Sequence, residues 1–411
     1  MSICLMLVTG GCRAGAAPPI SNVPSAVKQE ASPQAITSVP TAPSLPPPPS
    51  LPTPVAPLPE SAVGLLAITQ DASTTIMAVD PRGQLTALTE RRVLDTSRLS
   101  FQSHVLAYLV LAGLDPADNF MEIINLVSGD RWRVHPSDGL AIFAHTLSPD
   151  GHLLVYLEVA MRGSGPVPSW QVLIFDVEEG RSRLVLRSGD LDAQGGERGW
   201  AAEPILWSDA TGEIYFQALV PYKGYEGHGI WAMRPDGSNL HQILEEASYL
   251  GTPQLSPDGL RLAYLATDLT HLSLRYWPIS GGPPAHLLKV ISPLDGQETL
   301  LAQEEGEVYG GLAWSPHGSD ILLSRGAWQG SSFRYRIILS VAADGSEQQV
   351  VVNLPPEQPG TIVGFHSCST GGLLYLIREE RGTRLMMRTG AASTSLLLLP
   401  QSKIEIIACL Q

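Results

Sequence analysis

Ser-Pro-Asp-Gly stands at residues 148–151 and again at 256–259, and a close variant, Ser-Pro-His-Gly, at 315–318. Each copy is preceded by an apolar residue and followed by an apolar strand. The turn chemistry is specific: Pro presets φ at the first turn position, Asp bonds its own backbone, and Gly supplies a positive φ that other residues reach at a cost. Residues 205–212 form a degenerate copy and 366–372 a fainter one. The copies recur about every 50 to 60 residues, a spacing that belongs to repeat architectures rather than to one irregular core.

A second turn class interleaves with the first, at Asp80–Gly83, Ser128–Asp130, Glu178–Gly180, Pro235–Ser238, Asp295–Gly296 and Ala343–Ser346. Each turn sits between short apolar runs such as 104–111, 153–158 and 261–266, which read as strands, with hardly any helical periodicity. The unit is therefore strand, Ser-Pro-Asp-Gly turn, strand, loop, strand, Asp-Gly turn, strand, which is one four-stranded antiparallel blade. The fold expected is an all-β propeller of seven blades, starting near residues 62, 98, 142, 203, 253, 310 and 362, with six blades as runner-up. The first blade has only three strands of its own, and a leftover strand, Lys403–Leu410, ends the chain. Pairing that strand into the first blade closes the ring and removes its open edges.

On the full matches at Ser148–Gly151 and Ser256–Gly259, residues 61–411 resemble the TolB family and related WD-like propeller repeats, found in bacterial envelope lipoproteins and in the propellers of prolyl oligopeptidases. The resemblance implies fold and an extracytoplasmic setting, and it is nearly silent on activity. TolB itself has six blades and a small α/β domain ahead of them, where this chain has proline-rich sequence. A TolB-type partner is therefore not carried over.

The remaining chain divides into a leader at 1–16 and a proline-rich segment at 17–60. Ile3–Val8 is a short apolar run leading into Thr9, Gly10, Gly11 and Cys12, which is the form of a lipoprotein signal with Cys12 as the acylated residue. The alternative is a cleaved secretory signal. The run is far shorter than the roughly 20 residues needed to span a bilayer. Proline fixes φ and removes a backbone donor, so a segment of this kind stays extended and forms a tether that can reach about 100 Å. The expected location is extracytoplasmic, lipid-anchored or secreted, and the only membrane contact expected is through that anchor. Net charge is −14 with no basic cluster, which argues against nucleic acid as a partner. Of four cysteines, Cys368 and Cys409 lie outside the leader, and they can pair if the fold brings them together.

No catalytic, metal or cofactor residue is assigned. The ten histidines are scattered, and no two cysteines have zinc-ligand spacing. Gly163-Ser164-Gly165 is flanked by Arg162 and Pro166 where Gly-x-Ser-x-Gly needs glycine, so hydrolase chemistry of that type is not expected. His145, Glu203 and His366 fall on innermost strands and are candidates to face the central channel. The acidic residues Glu203, Asp209 and Glu307 are the material for a two-carboxylate glycosidase or lyase. Long connections at 161–170 and 221–229 carry Gly and aromatic residues. Tyr222 and Tyr225, with Trp200 and Trp328 on other connections, are candidates to bind protein, peptide or glycan at one rim. The favoured reading is a monomeric, non-catalytic interaction module, with an envelope polysaccharide hydrolase or lyase as the alternative.

Overall fold

A computed structural model describes residues 56–89, 94–113, 115–160, 169–188, 190, 201–219, 227–244, 253–267, 285–304, 307–329, 332–400 and 402–410. Twenty-eight strands form seven four-stranded antiparallel sheets. Blade 1 contains β1 (Gly64–Gln70), β2 (Ser73–Val79) and β3 (Leu85–Ala87). Blade 2 holds β4 (Leu94–Gln102), β5 (Val105–Val110), β6 (Phe120–Asn125) and β7 (Arg131–Val134). Blade 3 holds β8 (Leu140–Leu147), β9 (Leu153–Ala160), β10 (Trp170–Asp176) and β11 (Arg181–Arg187). In blade 4 these are β12 (Ala201–Ser208), β13 (Glu213–Leu219), β14 (Gly227–Met233) and β15 (His241–Leu244). Blade 5 follows with β16 (Gln254–Leu255), β17 (Leu262–Ala266), β18 (Leu287–Ile291) and β19 (Glu298–Gln303). Blade 6 is β20 (Val308–Trp314), β21 (Asp320–Gln329), β22 (Ser332–Ala342) and β23 (Gln348–Asn353). Blade 7 is β24 (Thr361–Ser367), β25 (Leu373–Glu379), β26 (Gly382–Thr389) and β27 (Ala392–Leu399).

The last strand, β28 (Lys403–Cys409), leaves blade 7 and pairs antiparallel with β1, so that blade 1 reads β28-β1-β2-β3. The strands β28, β4, β8, β12, β16, β20 and β24 touch one another in that cyclic order and are the innermost of their blades. The seven-bladed ring expected from the repeats, closed by the C-terminal strand, is the fold observed. In blades 2 to 7 the inner strands begin within a few residues of the blade starts read from sequence, and in blade 1 the strand near that start is β1, the second of its sheet.

Second strands are continuous apolar runs because both faces of each blade are covered. In β5 every residue is buried. Leu106, Tyr108 and Val110 point into the core shared with blade 1, and Val105, Ala107 and Leu109 into the core shared with blade 3. Among the described residues there are seven such hydrophobic cores, one at each seam between blades. Alternation persists in direction, but both directions are apolar, which is why the runs do not read as period two.

The repeat turns stitch the blades together. Within a turn, the Ser148 amide donates to the Leu153 carbonyl and the Gly151 amide to the Ser148 carbonyl, and the same pattern recurs at Ser256, Ser315 and Cys368. Between turns, Ser103 Oγ donates to the Pro149 carbonyl at 2.7 Å, Ser208 Oγ to the Gly259 carbonyl at 2.8 Å, and Arg261 Nη2 to the Gly318 carbonyl at 2.9 Å. The Asp-Gly turns do the same at larger radius. A Cβ on Gly83 of blade 1 would fall 2.0 Å from the Leu396 carbonyl oxygen of blade 7, and one on Gly237 of blade 4 would fall 2.5 Å from that of Val185 in blade 3. These turns need glycine for positive φ and also because a neighbouring backbone occupies the space.

Candidate functional site

In an antiparallel blade, the connections after the first and third strands emerge at one face of the ring, and those after the second and fourth at the other. The first face carries the short repeat turns. At the second lie the strand ends that bound the variable connections: 111–119 in blade 2, 161–169 in blade 3, 220–226 in blade 4 and 267–286 in blade 5, with 188–200 and 245–253 between blades. In blade 6, β21 and β22 continue their pairing out to Gln329↔Ser332, so a long hairpin extends on this side.

Of the rim candidates, Trp200, Tyr222 and Tyr225 lie outside the described residues, as does Cys12. Trp328 requires a correction. It lies within β21, opposite Phe333, and not on a connection. The Gly- and Ser-rich stretch around 326–332 reads as a loop, but the cross-strand ladder runs through it and only residues 330–331 lie between the paired strands.

The channel candidates all fall on innermost strands: His145 on β8, Glu203 on β12 and His366 on β24. The side chain of Glu203 is outside the described set. His145 is buried, with Nε2 donating to the Ala107 carbonyl of blade 2 at 3.2 Å. His366 is half-buried and donates from Nδ1 to the Ser367 carbonyl at 2.9 Å; burial holds its imidazole below the usual value, opposed by that hydrogen bond. In β8 and β24 a register shift re-aims one residue each. Phe143, skipped in the β8 register, is 45% exposed, and Val363, skipped in β24, is 38% exposed. Among the described residues, these two are the large apolar side chains on inner strands that remain exposed.

A charged cluster occupies the second face at the seam of blades 5 and 6. Arg325 on β21 contacts Glu304 at 2.7 Å through Nη1 and Glu307 at 3.1 Å through Nε. Beneath it, the Tyr309 hydroxyl is buried without a hydrogen-bond partner among the described residues, and burial, reinforced by Glu304, pushes that phenol well above its ordinary value. Asp209 follows the end of β12 on the repeat-turn face, whereas Glu307 precedes the start of β20 on the other. A seven-residue strand rises about 20 Å, so these two carboxylates are far beyond the roughly 5–9.5 Å separations used by glycosidases.

Among the described residues no group of three or more His, Cys, Asp or Glu side chains is placed to hold a metal ion, and no helix is long and apolar enough to cross a membrane. Cys368 and Cys409 are joined by a disulfide, with their Cα atoms 4.9 Å apart.

Among solved structures, an oligogalacturonate lyase from Vibrio parahaemolyticus superimposes with a TM-score of 0.56 at 13% identity, covering 79% of this chain and 85% of that one. The tricorn protease gives 0.54 at 13% identity, covering 86% of this chain and 35% of its own. TolB from Acinetobacter baumannii gives 0.45 at 16% identity, covering 73% and 66%. In fold, the chain is a seven-bladed β-propeller. That statement rests on the repeat turns and the ring of four-stranded blades, and at these identities the likenesses concern fold alone. No family model matches the chain. No curated protein matches it in sequence. A propeller is a scaffold on which either face or the channel can serve, so the functional reading has to come from how this one uses its faces.

Proposed function

We propose that this protein is a non-catalytic interaction module of the cell envelope, a monomer that binds protein, peptide or glycan through the face bearing its long connections or through the adjoining channel. One observation carries the reading: the two faces are built differently. On the repeat-turn face, hydroxyls, glycines and Arg261 are engaged in holding blade to blade. At the opposite face the strands end in connections whose lengths vary from blade to blade, and variable loops on a rigid scaffold are the usual site of recognition. In this reading Cys12 bears the lipid and residues 17–60 form the tether. The Cys368–Cys409 disulfide suits an oxidising, extracytoplasmic compartment.

The second reading, a polysaccharide hydrolase or lyase using channel carboxylates, keeps Glu203 and Glu307 as its candidates, since both precede or open inner strands at the same face. One experiment separates the two. The full-length protein is probed on peptide and glycan arrays and incubated with polyuronates, alongside Tyr222→Ala/Tyr225→Ala, Glu203→Gln and a control at the start of β11 on the repeat-turn face, Arg181→Ala. Binding lost in the tyrosine variant and retained in the control, with no new chain ends released, is the expected result. Release of chain ends that Glu203→Gln abolishes would replace this reading with the enzymatic one.

A further inference from the structure

Every blade but one has its first and second strands joined by a covalent turn. Blade 1 does not, because its first strand is β28 at the end of the chain and its second is β1 near the beginning. Gly64 and Cys409 face each other across the gap where the turn would be, held by main-chain pairing and by the Leu410 amide donating to the Val63 carbonyl at 3.0 Å. The disulfide sits at this gap. Cys368 occupies the position that serine holds in the other repeat turns: its amide donates to the Gly372 carbonyl and its carbonyl accepts from the Gly371 amide, as at Ser148 and Gly151. At the seams of blades 2 and 3, 4 and 5, and 5 and 6, a serine or arginine side chain at the turn stitches to the next turn by a hydrogen bond. At the seam of blades 7 and 1 there is no next turn, and the stitch is a sulphur–sulphur bond to Cys409, the last residue of β28.

The closing strand is otherwise lightly held. β1 buries five of its seven residues, whereas β28 buries only Ile404 and Ala408. Its pairing with β1 is interrupted by a register shift between Leu65 and Leu66. An element with few buried side chains opens locally at lower cost than the body of the fold.

We propose that the Cys368–Cys409 disulfide is a redox latch on the ring, and that its reduction releases β28 as a unit while the remaining blades stay folded. The reductant is an external dithiol. Its thiolate attacks Sγ of Cys409, the more exposed sulphur, and Cys368 leaves as a thiolate that takes up a proton. The second thiol of the reagent then displaces Cys409, so that one protein disulfide becomes two thiols and one dithiol becomes a disulfide. Released, β28 leaves the inner edge of β1 unpaired and opens the channel wall between β24 and β4.

The test is amide exchange read by mass spectrometry on the full-length protein, oxidised and after dithiothreitol, with Cys368→Ser as a second route to the unlatched state. Exchange in β28 and at the facing edge of β1 is expected to rise on the order of a hundredfold, with β13 in blade 4 unchanged. If β28 exchanges no faster after reduction, or if β13 accelerates with it because the whole ring unfolds, the latch is refuted. Should Cys368→Ser fail to fold, reduction of the assembled wild-type protein gives the same reading.

Discussion

Arg261, in the repeat turn of blade 5, donates to the Gly318 carbonyl of blade 6 at 2.9 Å while its guanidinium lies 5.0 Å from the centre of the Trp314 ring. One side chain thus reaches both the turn and the inner strand of the next blade. The Asp258 carboxylate beside it, at 3.5 Å and exposed, adds little. Arg261→Ala is expected to lower unfolding free energy by about 2 kcal/mol, from a charge-assisted hydrogen bond and a cation–π contact. Lysine should restore less than half, since it lacks the planar fork that serves both partners. Urea midpoints of the three proteins decide it, and equal midpoints would mean that the stitch contributes nothing.

Two glycines with similar backbones separate the cost of a conformation from the cost of a contact. Gly180 has φ +64 and nothing within 4 Å of where a Cβ would stand, whereas Gly237 has φ +84 and would place a Cβ 2.5 Å from the Val185 carbonyl oxygen of the neighbouring blade. Gly180→Ala should cost about 1 kcal/mol, the left-handed penalty alone. Gly237→Ala should cost about 1–3 kcal/mol more, because a strand of blade 3 must move. Thermal melts of the pair suffice; matched losses would show that the turn is not wedged against blade 3.

Acid should weaken the stitched turns in a defined direction. The Ser256 hydroxyl foremost, with the Leu260 amide and Arg261, holds the Asp258 carboxyl below its ordinary value against an opposing contribution from partial burial. A carboxyl depressed in the folded state contributes stability that is fully present above the unfolded value, about 3.9, and is lost as pH falls through the folded one. Asp258→Asn should therefore be less stable than wild type at pH 7, with the gap closing as the solution is taken below about pH 4. Urea midpoints across that range test it, and a gap independent of pH would remove the carboxylate from the account.

The blades are legible in the sequence because two local properties coincide in them: turn chemistry that repeats, and second strands apolar on both faces. Ser148–Gly151 and Val105–Val110 each display this without reference to anything distant. The closing strand is legible for a related reason, since three strands in the first blade leave one missing. What sequence does not show are relations between blades. Whether Cys368 meets Cys409 depends on ring closure, and that His145 reaches the Ala107 carbonyl depends on how far blade 3 is rotated against blade 2. Trp328 reads as a loop residue because Gly326, Gly330 and two serines give a loop composition to a hairpin whose pairing is set by the strands on either side.

Tyr309 offers a test that bears on function as well as stability. Its hydroxyl is buried, with no partner among the described residues, under the Glu304–Arg325–Glu307 cluster on the face proposed for recognition. A buried hydroxyl with no partner carries its desolvation cost uncompensated, so Tyr309→Phe should leave stability unchanged or raise it by about 1 kcal/mol. Phenylalanine keeps the ring that packs in the core between blades 5 and 6. A loss of more than about 1 kcal/mol would instead reveal a hydrogen bond to ordered water at this seam. If the variant is at least as stable as wild type but no longer binds on the arrays, the hydroxyl belongs to the ligand, and the seam of blades 5 and 6 becomes the part of the face where binding is centred.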